Sequence, residues 1–206
     1  MHTNVCRIPF ALAAWGWVSL FGFLAMPMHG QIKGPYLIGD AGVNLAQDVS
    51  VTSPGVSGTG KLEMEPGFRL DVMGAFYDLN SHLGAGLETG FLYNGVKGSG
   101  DWVGHVPFLL SSMFVYPTPD SKWHFYVGGG FGGVVSILAS GDTSSDFGFA
   151  WQGLAGVRYR ISDRASIGIG YKYFGRNEAD FEIKGVDLKT GDFQNHAVTL
   201  SYSLKF

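Results

Sequence analysis

Ser99, Asp101 and His105 sit close together in the chain and carry the side-chain types of nucleophilic catalysis: a hydroxyl to attack, a carboxylate to orient and an imidazole to take the proton. The bland reading of the same residues is a polar loop followed by a strand histidine. A second group is electrostatic. Asp40, Asp71 and Glu88 stand against Arg69, Arg158, Arg160, Lys172 and Lys205, all on one parity of the alternating segments described below. Either they neutralise one another as a salt-bridged plug, or they line a path for ions or solutes. A third pattern, Gly128-Gly129-Gly130-Phe131-Gly132-Gly133, matches the dinucleotide fingerprint. That motif needs a strand before it and a helix after it, whose N-terminus holds pyrophosphate. Here alternation runs on to Ile137, so the glycines belong inside a strand and the match is rejected. No Lys-Ser/Thr pair follows, as a phosphate loop would require. No His/Asp/Glu group has metal-ligand spacing, and the sole cysteine is Cys6. No cofactor and no metal are expected.

The elements that must position these residues are strands. Period-two alternation gives one greasy and one wet face. It is clearest at 68–77, where Phe68, Leu70, Val72, Gly74 and Phe76 oppose Arg69, Asp71, Met73, Ala75 and Tyr77. At the C-terminus, His196, Val198, Leu200, Tyr202, Leu204 and Phe206 oppose Asn195, Ala197, Thr199, Ser201, Ser203 and Lys205. Eight such segments are predicted: 36–45, 68–77, 83–94, 102–116, 123–137, 149–161, 165–174 and 195–206. Asp40, Asn44, Glu88, Asn94, Gln152, Arg158, Arg160 and Lys172 face inward with the bases and acids above. Pro107 cannot donate to a ladder, so a bulge or distortion is expected there. Inward Gly84, Gly86, Gly128, Gly130, Gly132, Gly168 and Gly170 would leave room for long Arg and Lys side chains.

Composition says what covers the greasy face. Charged residues are 15% of the chain, against roughly 25% in ordinary soluble domains. Glycine is 32 of 206 without a collagen period. No apolar run beyond the N-terminal one reaches helix-spanning length. Only a closed barrel satisfies strand backbones in lipid. The net charge of −3 offers no basic field for nucleic acid. Residues 8–26 are almost wholly apolar after Arg7, and Met28-His29-Gly30 ends in a small residue. Residues 1–30 therefore read as a secretory signal peptide, cleaved, with the domain at 31–206.

Connectors alternate in length. The short ones are 79–82, 117–122 and 162–164; the longer polar ones are 46–67, 97–101, 140–148 and 175–194. Short turns belong in the periplasm and long loops outside. Outward aromatics gather at two levels, as amphipathic rings at headgroup height do. Phe76, Tyr116, Trp123, Tyr159 and Phe206 form the periplasmic set; Phe68, Tyr93, Trp102, Phe149, Trp151 and Tyr173 form the other. Phe181, in the last loop, is a candidate partner anchor or a residue packed on the loop base.

The pattern, the signal and the terminal Phe206 resemble the eight-stranded outer-membrane barrel superfamily, the OmpA transmembrane-domain, opacity-protein and OmpW-like porin-family group. The resemblance implies an all-β, up-and-down antiparallel barrel in a Gram-negative-type outer membrane, surrounded by its lipid bilayer and lipopolysaccharide. It also implies recognition by the barrel-assembly machinery through Tyr202, Leu204 and Phe206. Two enzyme families of such barrels act on lipid A. The deacylases place His and Ser two apart on one strand face, whereas His82, His105, His124 and His196 are followed two residues on by Gly84, Pro107, Tyr126 and Val198. The palmitoyl transferases use loop His, Asp and Ser residues, which leaves Ser99, Asp101 and His105 as the opening for a lipid-modifying enzyme. The expected function is non-enzymatic: a structural, adhesive or ligand-binding role through extracellular loops, with a small-solute conduit as the alternative.

Overall fold

The computed structural model describes residues 33–53, 58–78, 82–117, 122–183 and 185–206, with the backbone alone for 33–34, 75–78 and 117. The expected signal peptide and the side chain of Phe76 lie outside them. The strands are β1 (Lys33–Ala46), β2 (Val49–Thr52), β3 (Gly60–Leu62), β4 (Gly67–Asp78), β5 (Leu83–Gly95), β6 (Trp102–Pro117), β7 (Trp123–Ala139), β8 (Thr143–Arg160), β9 (Ala165–Arg176), β10 (Ala179–Ile183), β11 (Val186–Thr190) and β12 (Phe193–Lys205). Eight of them close into an antiparallel barrel in the order β1-β12-β9-β8-β7-β6-β5-β4.

Closure follows from alternation. Val43, Phe68, Leu87, Phe131 and Leu200 point outward and are exposed, whereas Asn44, Arg69, Glu88 and Thr199 point inward and are buried. β1 is the closing strand. It pairs with β12 from Tyr36 opposite Lys205 to Ala46 opposite Asn195 without a break. Its other edge pairs with β4, with register shifts near Tyr36. A further shift separates Gly74 from Tyr77 in the β4–β5 ladder, so the alternation predicted through 77 is interrupted there.

Of the bulge or distortion expected at Pro107, no bulge forms, but one ladder is locally interrupted beside it. β6 keeps one register along β7, with Pro107 opposite Val134. On the other side the β5–β6 ladder passes from Thr89–Phe108 to Leu92–His105 in the same register, with no pairing at Gly90 and Phe91. A missing proline N–H is tolerated where no ladder bond is called for.

Three stretches expected as loops hold regular structure. Within 140–148, β8 begins at Thr143, because β7 templates it through pairs from Ala139–Thr143 onward. The turn is closed by Gly141 at φ +64°, a conformation that suits glycine. Within 46–67 and 175–194 lie β2, β3, β10 and β11, which form a second sheet in the order β10-β11-β2-β3. Its lower face packs on the barrel mouth. Val49, Val96, Val103, Leu138, Ala179, Phe181 and Phe193 form one buried cluster there. Phe181 is only 2% exposed, so it packs against the loop base and presents no anchor to solvent.

Phe181 thus holds the cap to the barrel. Burying a Phe in a packed core is worth about 3–5 kcal/mol relative to Ala. Phe181→Ala is expected to open the β10–β11 hairpin to proteolysis in intact cells. The barrel should keep its gel-mobility difference between unheated and boiled samples. Equal protease resistance of variant and parent would contradict this packing role.

Candidate functional site

The lumen is a stack of layers, each set by the two-residue repeat of the strands. At mid-height Lys172 on β9 is surrounded by carboxylates from β1, β4 and β5. Its ammonium donates to Asp71 Oδ2 at 2.8 Å and Glu88 Oε1 at 2.7 Å, and it pairs with Asp40 Oδ2 at 2.8 Å. An ammonium has three donors, and three acceptors meet it. Arg69 Nε donates to Asp71 Oδ2 at 2.5 Å and its Nη2 to Gln152 Oε1 at 2.7 Å. Ser111 Oγ donates to Glu88 Oε2 at 2.8 Å, and Gln152 Nε2 donates to the same oxygen. Arg69, Asp71, Glu88 and Lys172 are all buried, as is Asp40. Three carboxylates face two cations, so the cluster carries one negative charge in excess.

Apolar layers lie one step away on each side. Ile38, Met73, Met113, Tyr126 and Leu154 pack toward the end with the short turns. Leu92, Leu109, Val134, Ala150 and Phe174 pack toward the end with the long loops. Tyr126 lies across the bore, and Gly156 and Gly170 make this feasible: a Cβ on either would collide with its hydroxyl.

Above the second apolar layer is a polar layer built on Arg176. Its Nε donates to Asn177 O at 2.8 Å, and its Nη2 to Asp146 Oδ2 at 2.7 Å and Glu178 O at 2.9 Å. Its Nη1 donates to Ser136 Oγ, which is 2.7 Å from His105 Nδ1. Arg176 therefore ties the start of the β10 connection to three barrel strands. Beside it, Asn44 Nδ2 donates to Asn94 Oδ1 at 2.6 Å, and Asn94 Nδ2 donates to Glu65 O at 2.9 Å.

The lumen residues named from sequence thus separate. Asp40, Arg69, Asp71, Glu88 and Lys172 meet in one network. Arg158 lies two layers lower, with its guanidinium 4.5 Å from the Tyr126 ring centroid. Arg160 is exposed at the mouth, and Lys205 Nζ lies 5.4 Å from the Tyr36 ring. Ser99, Asp101 and His105 are not assembled. Ser99 Oγ donates to Val96 O and accepts from Asp101 N, while the buried His105 engages Ser136. Arg176, Ser136 and Ser111 were missed. Arg176 shares parity with Lys172 and Phe174, which was the available signal.

On the outer wall the aromatics contact one another at both levels. Phe68 stacks on Tyr93 at 5.2 Å and Trp151 meets Tyr173 at 5.1 Å. Trp123 and Tyr159 meet edge to face at 4.9 Å at the other end. Tyr202 and Phe206 are exposed, Leu204 is half-buried, and the Phe206 N–H donates to Pro35 O at 3.1 Å. The cap presents Asp48, Lys61, Asp180, Glu182, Asp187 and Lys189 to solvent. Lys61 is 2.9 Å from Asp48 and, with the Met64 N–H, holds that carboxyl below the usual carboxylate range. Such exposed pairs shape a loop more than they stabilise it.

The family model described as "Outer membrane protein beta-barrel domain" matches residues 16–206. No curated protein matches significantly. Among solved structures, Neisserial surface protein A is similar at 15% identity, with 86% of this chain and 100% of that chain covered and a TM-score of 0.60. OprG from Pseudomonas aeruginosa is similar at 14% identity, with 87% and 100% covered and a TM-score of 0.58. At these identities the likeness concerns the fold.

Lys172 is the residue whose loss should cost most. Lys172→Met leaves three carboxylates around an apolar side chain, and breaking a buried pair from one side costs about 3–5 kcal/mol. The urea midpoint of protein folded in lipid vesicles should fall accordingly. Replacing Lys172, Asp40, Asp71 and Glu88 together by apolar residues of similar volume should recover much of the loss. An unchanged midpoint in Lys172→Met would refute the network's structural role.

Proposed function

Because the chain belongs to the outer membrane protein beta-barrel family, we propose that it is a non-conducting outer-membrane anchor that presents its four-stranded cap to a cationic partner outside the cell. The observation that carries this reading is the filled lumen beneath an ordered, exposed sheet. Two apolar layers enclose the ion-pair cluster, and an eight-stranded barrel has an interior just wide enough for its own side chains. Among the described residues, these apolar layers interrupt the polar lining of the lumen on both sides of the cluster. This favours the binding role over a small-solute conduit.

The cap supports the choice of partner. Among the described residues, exposed Asp48, Glu63, Glu65, Glu178, Asp180, Glu182, Asp187 and Asp192 outnumber exposed Lys61, Lys97 and Lys189 on and around it. Charge complementarity of that kind steers encounter and excludes like-charged surfaces. Loops carried on a rigid scaffold are where binding residues concentrate. The surroundings in this reading are the outer-membrane lipid and lipopolysaccharide, met by the apolar wall and its aromatic levels.

Two measurements test it. In planar bilayers the purified protein should give no discrete conductance steps; regular steps would favour the conduit. Cells displaying the protein should bind a fluorescent oligolysine peptide in a salt-sensitive way. The triple variant Asp180→Lys, Glu182→Lys, Asp187→Lys should lose most of that binding while still showing the heat-dependent mobility shift. Equal binding by the variant would rule out the acidic cap as the binding surface.

A further inference from the structure

The fully buried cations of the lumen are each matched by a carboxylate: Arg69 has Asp71, Lys172 has Asp40, Asp71 and Glu88, and Arg176 has Asp146. Arg158, half-buried at the end with the short connections, has no such match among the described residues. Its guanidinium lies over the Tyr126 ring, and among the described residues it has no hydrogen bond or ion pair. Its Nε is buried without an acceptor. A guanidinium offers five donors and cannot shed its charge, so leaving it unmatched is costly.

A neighbouring group has the same character. Ser201 on β12 is 6% exposed, and its hydroxyl is buried without a partner. The two side chains converge over Gly168 of β9, which lies between them in the ladders. A Cβ at Gly168 would stand 2.7 Å from Ser201 Oγ and 2.9 Å from Arg158 Cγ. Glycine is what lets the arginine stem and the hydroxyl share that space. Nearer the mouth are Arg160 on β8, one inward position on, and Lys205 on β12, two inward positions on, neither ion-paired among the described residues. Tyr126 and the apolar layer around it close the space from above. The carboxylate whose field reaches Arg158 is Asp40, and Lys172 already holds it at 2.8 Å. Asp163 lies exposed on the adjacent turn.

We propose that this blind periplasmic mouth is an oxyanion site, in which Arg158 and Ser201 bind a phosphate group and Arg160 and Lys205 draw it in. The planar guanidinium fork matches phosphate through two parallel bonds, and the serine hydroxyl, two strands along the wall, supplies a third donor. Cations without nearby carboxylates focus the field in a low-dielectric cleft and raise the local anion concentration. The phosphate belongs either to a small periplasmic solute or to a lipid headgroup at the barrel rim, and the chemistry recognised is the same.

The test uses the chain folded in phosphatidylcholine nanodiscs and titrated with inorganic phosphate at constant ionic strength, followed by amide NMR shifts. Saturable shifts at Arg158, Gly168 and Ser201 are expected. Arg158→Gln should weaken binding at least tenfold and Arg158→Lys less, while Arg164→Gln on the turn should leave it unchanged. Each variant is used only if it retains the heat-dependent mobility shift. In a second arm, phosphatidylglycerol is added to the discs without free phosphate. The same shifts there, displaced by inorganic phosphate, assign the headgroup as the source; shifts with free phosphate alone assign a solute. No saturable shift in either arm, shifts reproduced by chloride, or binding that survives Arg158→Gln would each overturn the proposal.

Discussion

Everything in this molecule depends on β1 meeting two partners at once. A backbone N–H or C=O facing hydrocarbon without a partner costs several kcal/mol, and a strand has donors and acceptors along both edges. β1 satisfies one edge on β12 and the other on β4, and no barrel edge is left. The outer wall can then be apolar throughout, because lipid asks nothing of it but side chains. The inner wall inherits every polar residue the alternation leaves over, in a bore too narrow for water to solvate them freely.

That narrowness explains the layering. Lys172 must reach three acids from three strands, β1, β4 and β5, and its long stem allows this in a bore this narrow. The cost of burying five charges is offset only where each finds a partner. Filling the adjacent layers with Met73, Met113, Leu109 and Phe174 lowers the local dielectric and strengthens the pairs that do form. The same principle makes Arg158 conspicuous, since its Nε is buried and finds no acceptor among the described residues.

Much of the barrel was legible in the sequence because its information is local. Whether Arg69 faces in or out is decided by Phe68 and Leu70 beside it. The cap was not legible, because its pairings join distant residues. Lys189 lies opposite Thr52, and each sits in a polar stretch whose strand character appears only when the other is present. Arg176 was lost for a related reason: Gly175 and Asn177 read as a loop, although its parity continued that of Lys172. Pro107 was legible only in part, since the ladder is interrupted on its β5 side and unbroken on its β7 side. Its chemistry forbids a ladder bond, but only the three-dimensional register tells which edge lacks one.

The charge network also does something that hydrophobic packing alone would not. Apolar side chains on the outer wall are interchangeable to a first approximation, so a slip of β1 by two residues, which keeps its outward face outward, would cost the wall little. It would, however, move Asp40 one layer along the lumen and bring Ile38 or Gly42 to the level of Lys172. The neighbours of Lys172 come from β1, β4 and β5, none of which is paired with β9. The network is complete only when the barrel has closed in one register, so it penalises every wrongly closed alternative. A buried charge cluster adds little net stability over an apolar core of equal volume. Its position here, reaching from β9 to β1, β4 and β5 on both sides of the β1–β4 seam, is where discrimination between registers is most useful.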